Sequence, residues 1–80
     1  MIADVYIELK KGVTDPEGEA TKKALRLLGF RNVRSVSSCK VFRIELDAKT
    51  REEAEAEIKA MCEKLLVNPV IQNYRIEWVD

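Results

Sequence analysis

The sequence predicts an α+β fold, a ferredoxin-like βαββαβ sandwich in which two helices cover one face of a four-stranded antiparallel sheet. Apolar residues alternate with polar ones in four stretches and recur at helical spacing in two others, in the order strand, helix, strand, strand, helix, strand. Because crossovers between parallel strands are right-handed, both helices are expected on the same face. With 80 residues and no linker or repeat, the chain is predicted to form one domain, residues 1–80.

The first strand and the first helix are separated by a change of period near residue 12. Apolar and polar residues alternate through the first ten positions, which predicts a strand with one buried face. Asp15 can accept a hydrogen bond from a free amide at a helix start, and Pro16 fits the first helical position, where no donor is needed. Gly29 is placed for the left-handed conformation that often ends a helix. The helix is therefore predicted at residues 16–28.

A hairpin is predicted in the middle of the chain. Residues 33–38 and 40–47 both have the pattern of strands, and a tight turn near Ser38-Cys39 would join them. In the second of these strands Phe42 and Ile44 lie on one face.

The second helix begins at a capping box and ends before a proline. In Thr50-Arg51-Glu52-Glu53 the Thr50 hydroxyl can accept a bond from the third helical amide, while Glu53 reaches back to the helix start. Pro69 disfavours helical geometry in the residue before it. The helix is predicted at residues 51–66, and alternation over residues 70–79 predicts the last strand.

The composition excludes several classes of chemistry. Fourteen basic residues balance 14 acidic ones, which argues against a nucleic-acid module, because such a module needs a basic surplus. Histidine is absent, which removes histidine bases, histidine-activated nucleophiles and histidine metal ligands. Cys39 and Cys62 lack C-x-x-C spacing, so neither a zinc site nor a redox dithiol is predicted, and Cys62 is interpreted as a core residue. No catalytic, cofactor-binding or metal-binding residue is assigned.

Other charged segments have simpler structural interpretations. The glutamates of the second helix match the helix dipole and a solvated face. The segment from Gly12 to Gly18 lacks a phosphate-loop pattern, and Asp15 with Glu17 would repel phosphate, so a structural turn is favoured. The basic group in the first half of the chain is cancelled by acidic residues elsewhere: Arg26, Arg31, Arg34 and Lys40.

Location and assembly also follow from simple patterns. No apolar run approaches 18 residues and no signal-peptide pattern opens the chain, so we expect no membrane partner and a cytoplasmic protein with reduced thiols.

A core of this size typically supplies only about 3–5 kcal/mol of net stability, and one sheet face has no helix to cover it, so a homodimer or larger assembly is predicted. The candidate interface residues are Tyr6, Arg43, Tyr74, Arg75 and Trp78.

The whole chain resembles the PurS family, the small subunit of phosphoribosylformylglycinamidine (FGAM) synthase. The resemblance is most specific in residues 61–71, which read MCEKLLVNPVI, and it covers essentially the full length. One departure is Cys39, where the family usually carries glycine. The other matching segments are residues 5–18, with their Gly-Val turn and Asp-Pro-x-Gly helix start, and residues 24–25, 28–30, 33–36 and 74–77.

The resemblance implies a non-catalytic role in purine biosynthesis. The synthase converts formylglycinamide ribonucleotide, glutamine and ATP to FGAM. In its split form a PurQ-type glutaminase releases ammonia, a PurL-type synthetase uses ATP and magnesium, and the small subunit assembles the two and supports ammonia transfer. The family forms dimers. The resemblance thus implies a subunit of a C–N ligase that binds no cofactor of its own.

Two functions of other classes remain open from the sequence. A free-standing ferredoxin-like dimeric module would bind a small effector at its interface. A small acyl-phosphate hydrolase would need an anion-cradling loop with an arginine after the first strand, but this loop offers Lys10, Lys11 and two acids, so it ranks last.

Overall fold

The computed structural model describes residues 1–80 and has two helices and three strands. Neither helix is long and apolar enough to cross a membrane. The second helix continues into a π-helical turn, Cys62–Leu66. The elements are β1 (Ile2–Leu9), α1 (Pro16–Leu27), β2 (Cys39–Glu45), α2 (Arg51–Met61) and β3 (Gln72–Trp78).

The sheet is antiparallel throughout and has the order β2-β1-β3. Val5 of the central strand lies opposite Phe42 on one side and Ile76 on the other. One end of the sheet, which we call the hinge end, contains Leu9, Cys39 and Gln72. The opposite, far end contains Ile2, Glu45 and Trp78.

Helix α2 packs on one face of the sheet and forms the core with it. Ile58 and Cys62 of the helix and its π turn are fully buried against Val5 and its neighbours on β1. Burial confirms Cys62 as a small core side chain, and desolvation raises the pKa of its thiol, which therefore stays protonated. We call the sheet together with α2 and its π turn the body.

The predicted caps of α1 are confirmed. Asp15 accepts a hydrogen bond from the Gly18 amide at 3.0 Å, and proline stands in the first turn. At the other end Gly29 has φ +104°, and the Phe30 amide bonds the Leu25 carbonyl while the Gly29 amide bonds that of Arg26. These two bonds are those of a Schellman motif, so the glycine allows the chain to reverse beyond the helix.

The capping box of α2 is also confirmed, with one difference. The Glu53 amide donates to the Thr50 hydroxyl at 3.1 Å, but the Glu53 carboxylate accepts from the Lys49 amide, one residue earlier than predicted. The predicted length is correct, because the π turn extends α2 to residue 66 and closes with a bond from the Val67 amide to the Cys62 carbonyl.

The predicted strand at residues 33–38 is wrong for the single chain, as is the turn at Ser38-Cys39 and therefore the four-stranded sheet. Residues 33–38, which we call the strap, run beside α1 instead. The Arg26 guanidinium donates two bonds to the Val33 carbonyl, at 3.1 and 2.8 Å, and the Ser38 amide donates to Asp15 at 2.7 Å. These bonds satisfy strap groups that a hairpin would have paired with β2.

The expectation that both helices cover one sheet face is wrong for the same reason. Helix α1 and the strap form an arm, residues 16–38, and none of its side chains belongs to the core that α2 forms with the sheet. The chain measures 51 × 28 × 14 Å with a radius of gyration of 16.0 Å. A compact chain of this length would have a radius of gyration of about 12 Å. The arm therefore projects from the hinge end of the body.

We predict that Gly18→Ala detaches the strap from α1. Gly18 is buried, and a Cβ there would collide with the Val36 carbonyl oxygen and press on the Asp15 carboxylate. Alanine favours helix by about 1 kcal/mol in an open site, but here the contact outweighs it. Hydrogen exchange at the Ser38 amide should accelerate.

The control is Thr21→Ala on the exposed side of the same helix, which should leave the Ser38 amide unchanged. Slow exchange at Ser38 in Gly18→Ala would show that the strap does not depend on this close approach.

Candidate subunit interface

The sheet face opposite α2 has no covering element, and we call it the open face. Its side chains alternate with the core residues along every strand, as the pleat requires. It holds four acidic residues and two arginines, so its net charge is negative. Its members are Asp4, Tyr6, Glu8, Val41, Arg43, Glu45, Asn73, Arg75 and Glu77.

The centre of the open face is an ion pair between neighbouring strands. Arg43 lies opposite Asp4 and donates to both carboxylate oxygens, at 2.8 and 2.9 Å. The Asp4 side chain is only 8% exposed, whereas that of Arg43 is 65% exposed. The hydrogen bonds from Arg43 hold the pKa of Asp4 below its usual range, although burial opposes this. The guanidinium is thus fixed in place but remains accessible.

A second arginine is ordered beside it. The Arg75 guanidinium lies 4.3 Å from the Tyr6 ring centroid and donates to Glu77 at 3.1 Å. Stacking on an aromatic ring and the bond to a carboxylate restrict a side chain that would otherwise be mobile. The open face therefore presents tyrosine and arginine side chains in fixed positions, and these residue types carry much of the binding energy in protein interfaces.

The five predicted interface residues do not share one surface. Tyr6, Arg43 and Arg75 lie together on the open face, whereas Tyr74 and Trp78 lie on the α2 side at the edge of the core. Arg51 stacks on the Trp78 ring at 4.2 Å, and burial raises the pKa of Tyr74. An interface role for the five residues stays a prediction.

An exposed apolar surface on α1 was not predicted from the sequence. The stripe of α1 that ends in Leu27 and Leu28 faces solvent, with these side chains 84% and 74% exposed, and Phe30 beyond Gly29 is exposed as well. Helical spacing indicated an apolar face, but spacing alone does not say which sheet covers it. On the body, Phe42 of β2 is exposed on the α2 side, where no helix lies above it.

A second apolar patch lies at the hinge end. Leu65 in the π turn and Val70 in the following turn are 83% and 78% exposed. The turn is held by Asn68, whose side chain accepts from the Val70 amide and whose carbonyl accepts from the Gln72 amide. The most specific segment of the family resemblance therefore presents apolar side chains on a well-bonded turn.

No three His, Cys, Asp or Glu side chains come together in a way that could hold a metal ion. A cavity of about 290 Å³ lies at the hinge end beside Lys10, Lys11 and Cys39. The Asp15 carboxylate lies beside this cavity and accepts the hydrogen bond of the free Gly18 amide at the start of α1. Hydrogen bonds from the Ser38 and Gly18 amides hold the pKa of Asp15 below its usual range.

Comparisons with known proteins agree with this geometry. The family model described as "PurS: Phosphoribosylformylglycinamidine (FGAM) synthase" matches residues 2–80. The chain belongs to the PurS family. The resemblance drawn from the sequence is thereby confirmed.

PurS proteins from other organisms match this chain over nearly its full length. The phosphoribosylformylglycinamidine synthase subunit PurS of Archaeoglobus fulgidus is 73% identical over 78 residues, 98% of each chain. The crystal structure of Methanocaldococcus jannaschii PurS is 45% identical and superposes with a TM-score of 0.87, covering 95% of this chain and 92% of that one. A chain in the structure of PurLQS from Thermotoga maritima is 30% identical, with a TM-score of 0.83 and 96% of each chain covered. PurS structures therefore share this fold, α+β with an extended α1.

We predict that the Asp4–Arg43 pair contributes to acid sensitivity. Because the folded-state pKa of Asp4 is depressed, its contribution is present above the unfolded pKa near 3.9 and is lost as the pH falls through the lower folded value. The thermal unfolding temperature of the wild type should fall more steeply between pH 5 and pH 2 than that of Arg43→Gln, because Asp4 has lost its main partner in the variant.

Arg75→Gln is the control, since Arg75 does not contact Asp4 and should keep the wild-type slope. Equal slopes for wild type and Arg43→Gln would contradict the assignment.

Proposed function

We propose that this chain is the non-catalytic PurS subunit of FGAM synthase, which holds a PurL-type synthetase and a PurQ-type glutaminase together and supports ammonia transfer between them. The observation that carries the proposal is the full-length match to PurS chains, one of them in the Thermotoga maritima PurLQS structure. The geometry agrees, because the surface offers ordered binding groups on the open face and exposed apolar stripes.

The chemistry of the reaction belongs to the partners in this proposal. ATP and magnesium are bound by the synthetase, and glutamine by the glutaminase. A cytoplasmic location fits the two free thiols, Cys39 exposed and Cys62 buried, which persist in a reducing compartment.

The functional unit is a homodimer in which each arm packs on the other body. In the single chain, the apolar stripe of α1 lacks a sheet, and the β2 side of the body, with Phe42, lacks a helix. When two copies exchange arms in a closed twofold arrangement, each α1 stripe gains a sheet and each β2 side gains a helix. Only the connections at the hinge end, near Lys10 and Ser38, pass between the two bodies.

The exposed area agrees with such a dimer. A monomeric protein of 9.2 kDa is expected to expose about 4,900 Å², whereas this chain exposes 6288 Å². The excess of about 1,400 Å² exceeds the roughly 800 Å² that each partner buries in a standard stable interface. The arm therefore carries enough surface for a stable dimer.

Exchange also restores the arrangement that the sequence pattern indicates. The strap of one copy would lie along the free edge of β2 of the other, which gives four strands, and α1 would lie beside α2 on the same face. This is the ferredoxin-like sandwich, built from two chains. The hinge-end patch around Leu65 and Val70 would then lie between the two bodies.

The open face stays free in this dimer and is the surface we assign to the partner subunits. Arg43 and Arg75 are already ordered there, so binding would cost little further side-chain entropy. Tyr6 lies between them. Tyr74 and Trp78 support the face from the α2 side.

We predict that glutamine-dependent FGAM synthesis requires this chain. The purified chain alone should show no glutaminase, ATPase or amidating activity. Synthetase and glutaminase should turn over glutamine slowly without it and quickly with it, whereas high ammonium should partly bypass it, because the synthetase then takes ammonia from solution.

The decisive assay compares the two partners with and without the chain, using glutamine or ammonium as the nitrogen donor. Equal glutamine-dependent rates in both mixtures would rule out the assembly role.

We predict that Leu27→Ala weakens the dimer without unfolding the chain. The side chain is largely exposed in one copy and buried in the exchanged dimer, so truncation should cost at least about 2 kcal/mol of association for the two copies together. Light scattering over a micromolar dilution series measures this.

Thr21→Ala is the control on the same helix and should dimerise like the wild type. A wild-type chain that stays monomeric at micromolar concentration would contradict the exchanged dimer.

A further inference from the structure

The charges of the arm are sorted along its length. Its base is acidic, with Asp15, Glu17 and Glu19 at the start of α1. Beyond this point residues 20–44 contain seven basic residues and no acidic one. Five of the seven lie in the arm: Lys22, Lys23, Arg26, Arg31 and Arg34.

The charges of the body are sorted in the opposite sense. The hinge end carries four lysines against two glutamates: Lys10, Lys11, Lys40 and Lys64 against Glu8 and Glu63. The far end carries five acidic side chains against two basic ones and the amino terminus: Glu45, Asp47, Glu52, Glu53 and Asp80 against Lys49 and Arg51.

Several far-end carboxylates have no charged partner within the chain. The amino terminus lies 3.8 Å from Asp80, so this carboxylate is already compensated. Glu45, Asp47 and Glu52 take part in no ion pair and no side-chain hydrogen bond of the structure.

The arm has the length that would bring unlike charges together. The 12 residues of α1 span about 18 Å, and the eight residues of β1 span about 26 Å. If α1 starts at the hinge end of the other body, the turn after Gly29 carries Arg31 close to the far end. The acidic base then faces the lysines, and the basic tip faces the carboxylates.

We infer that the arm tip of one copy docks on the acidic far end of a second copy, and that these charges steer and select the exchange. The inference rests on the exchanged dimer proposed above and names the occupant of the far end as Arg31 and Arg34 of the other chain. Charge matching of this kind acts mainly on association rate and partner choice and weakens with salt. This charge matching makes the chain pair selectively with a second copy of itself.

The test uses a charge swap between two differently reversed chains. The arm variant carries Arg31→Glu and Arg34→Glu, and the body variant carries Asp47→Lys and Glu52→Lys. All four side chains are exposed in the single chain, so folding should be retained, which circular dichroism checks. In either homodimer both contacts bring like charges together, whereas in the mixed dimer both contacts are matched.

Native mass spectrometry of the equimolar mixture at low salt should show the mixed dimer almost alone. Each variant by itself should dimerise at least about tenfold more weakly than the wild type, since each homodimer loses several exposed ion pairs and gains like-charge contacts in their place. Raising the salt should weaken the wild-type dimer and reduce the preference of the mixture.

The matched control reverses two acids on the open face, Glu8→Lys with Glu77→Lys, which changes the net charge by the same amount as the body variant. Because the open face stays free in the exchanged dimer, this variant should dimerise like the wild type.

The other outcomes overturn the inference in distinguishable ways. A statistical 1:2:1 mixture, or equal loss in the open-face control, would refute the charge-directed docking while leaving the exchanged dimer standing. A wild-type chain that is monomeric in the same buffer would refute the exchanged dimer, and this inference with it.

Discussion

The single chain cannot bury its own apolar surface, and the rest of the structure depends on this constraint. Helix α1 carries an apolar stripe with no sheet beneath it, and the body has a strip of sheet beside Phe42 with no helix above it. The chain exposes over a thousand Å² more than a compact protein of its mass, and burial of the apolar part of that surface favours association. A second copy supplies both missing surfaces with no new structural element.

Contacts at the base of the arm hold α1 and the strap together. Asp15 accepts from both the Gly18 amide and the Ser38 amide, so it joins the start of α1 to the end of the strap. Gly18 allows the strap to approach the helix closely. The arm is therefore held together by its own bonds, and in the proposed dimer only the short connections on either side of it pass between the two bodies.

Much of the fold follows from the sequence because its signals are local. Asp15, Gly29 and Thr50 mark helix ends through bonds within a few residues, and alternation marks the strands whatever they pair with. The strap was assigned wrongly because strand character does not specify a partner, and here residues 33–38 bond to α1. The exposed stripe could not be foreseen either, since helical spacing gives an apolar face but not the chain that covers it. Of the site, the pleat correctly placed Tyr6, Arg43 and Arg75 together, while Trp78 and Tyr74 fall on the other face.

A division of surfaces explains how a small subunit without histidine can serve a larger enzyme. In the proposed dimer the helix side pairs with a second copy, and the polar open face remains for the partner subunits. Its arginines are held by Asp4 and Glu77, so the face is ordered before anything binds. On the proposed function, the subunit contributes ordered binding surfaces, while the reacting groups belong to its partners.

The central claim, exchange of arms, is tested most directly by an isotope-filtered nuclear Overhauser experiment on a dimer made from labelled and unlabelled chains. The account predicts cross-peaks between the Leu27 methyls of one chain and the Phe42 ring of the other. Cross-peaks between these groups only within one chain, or none at all in a sample that is dimeric, would contradict it.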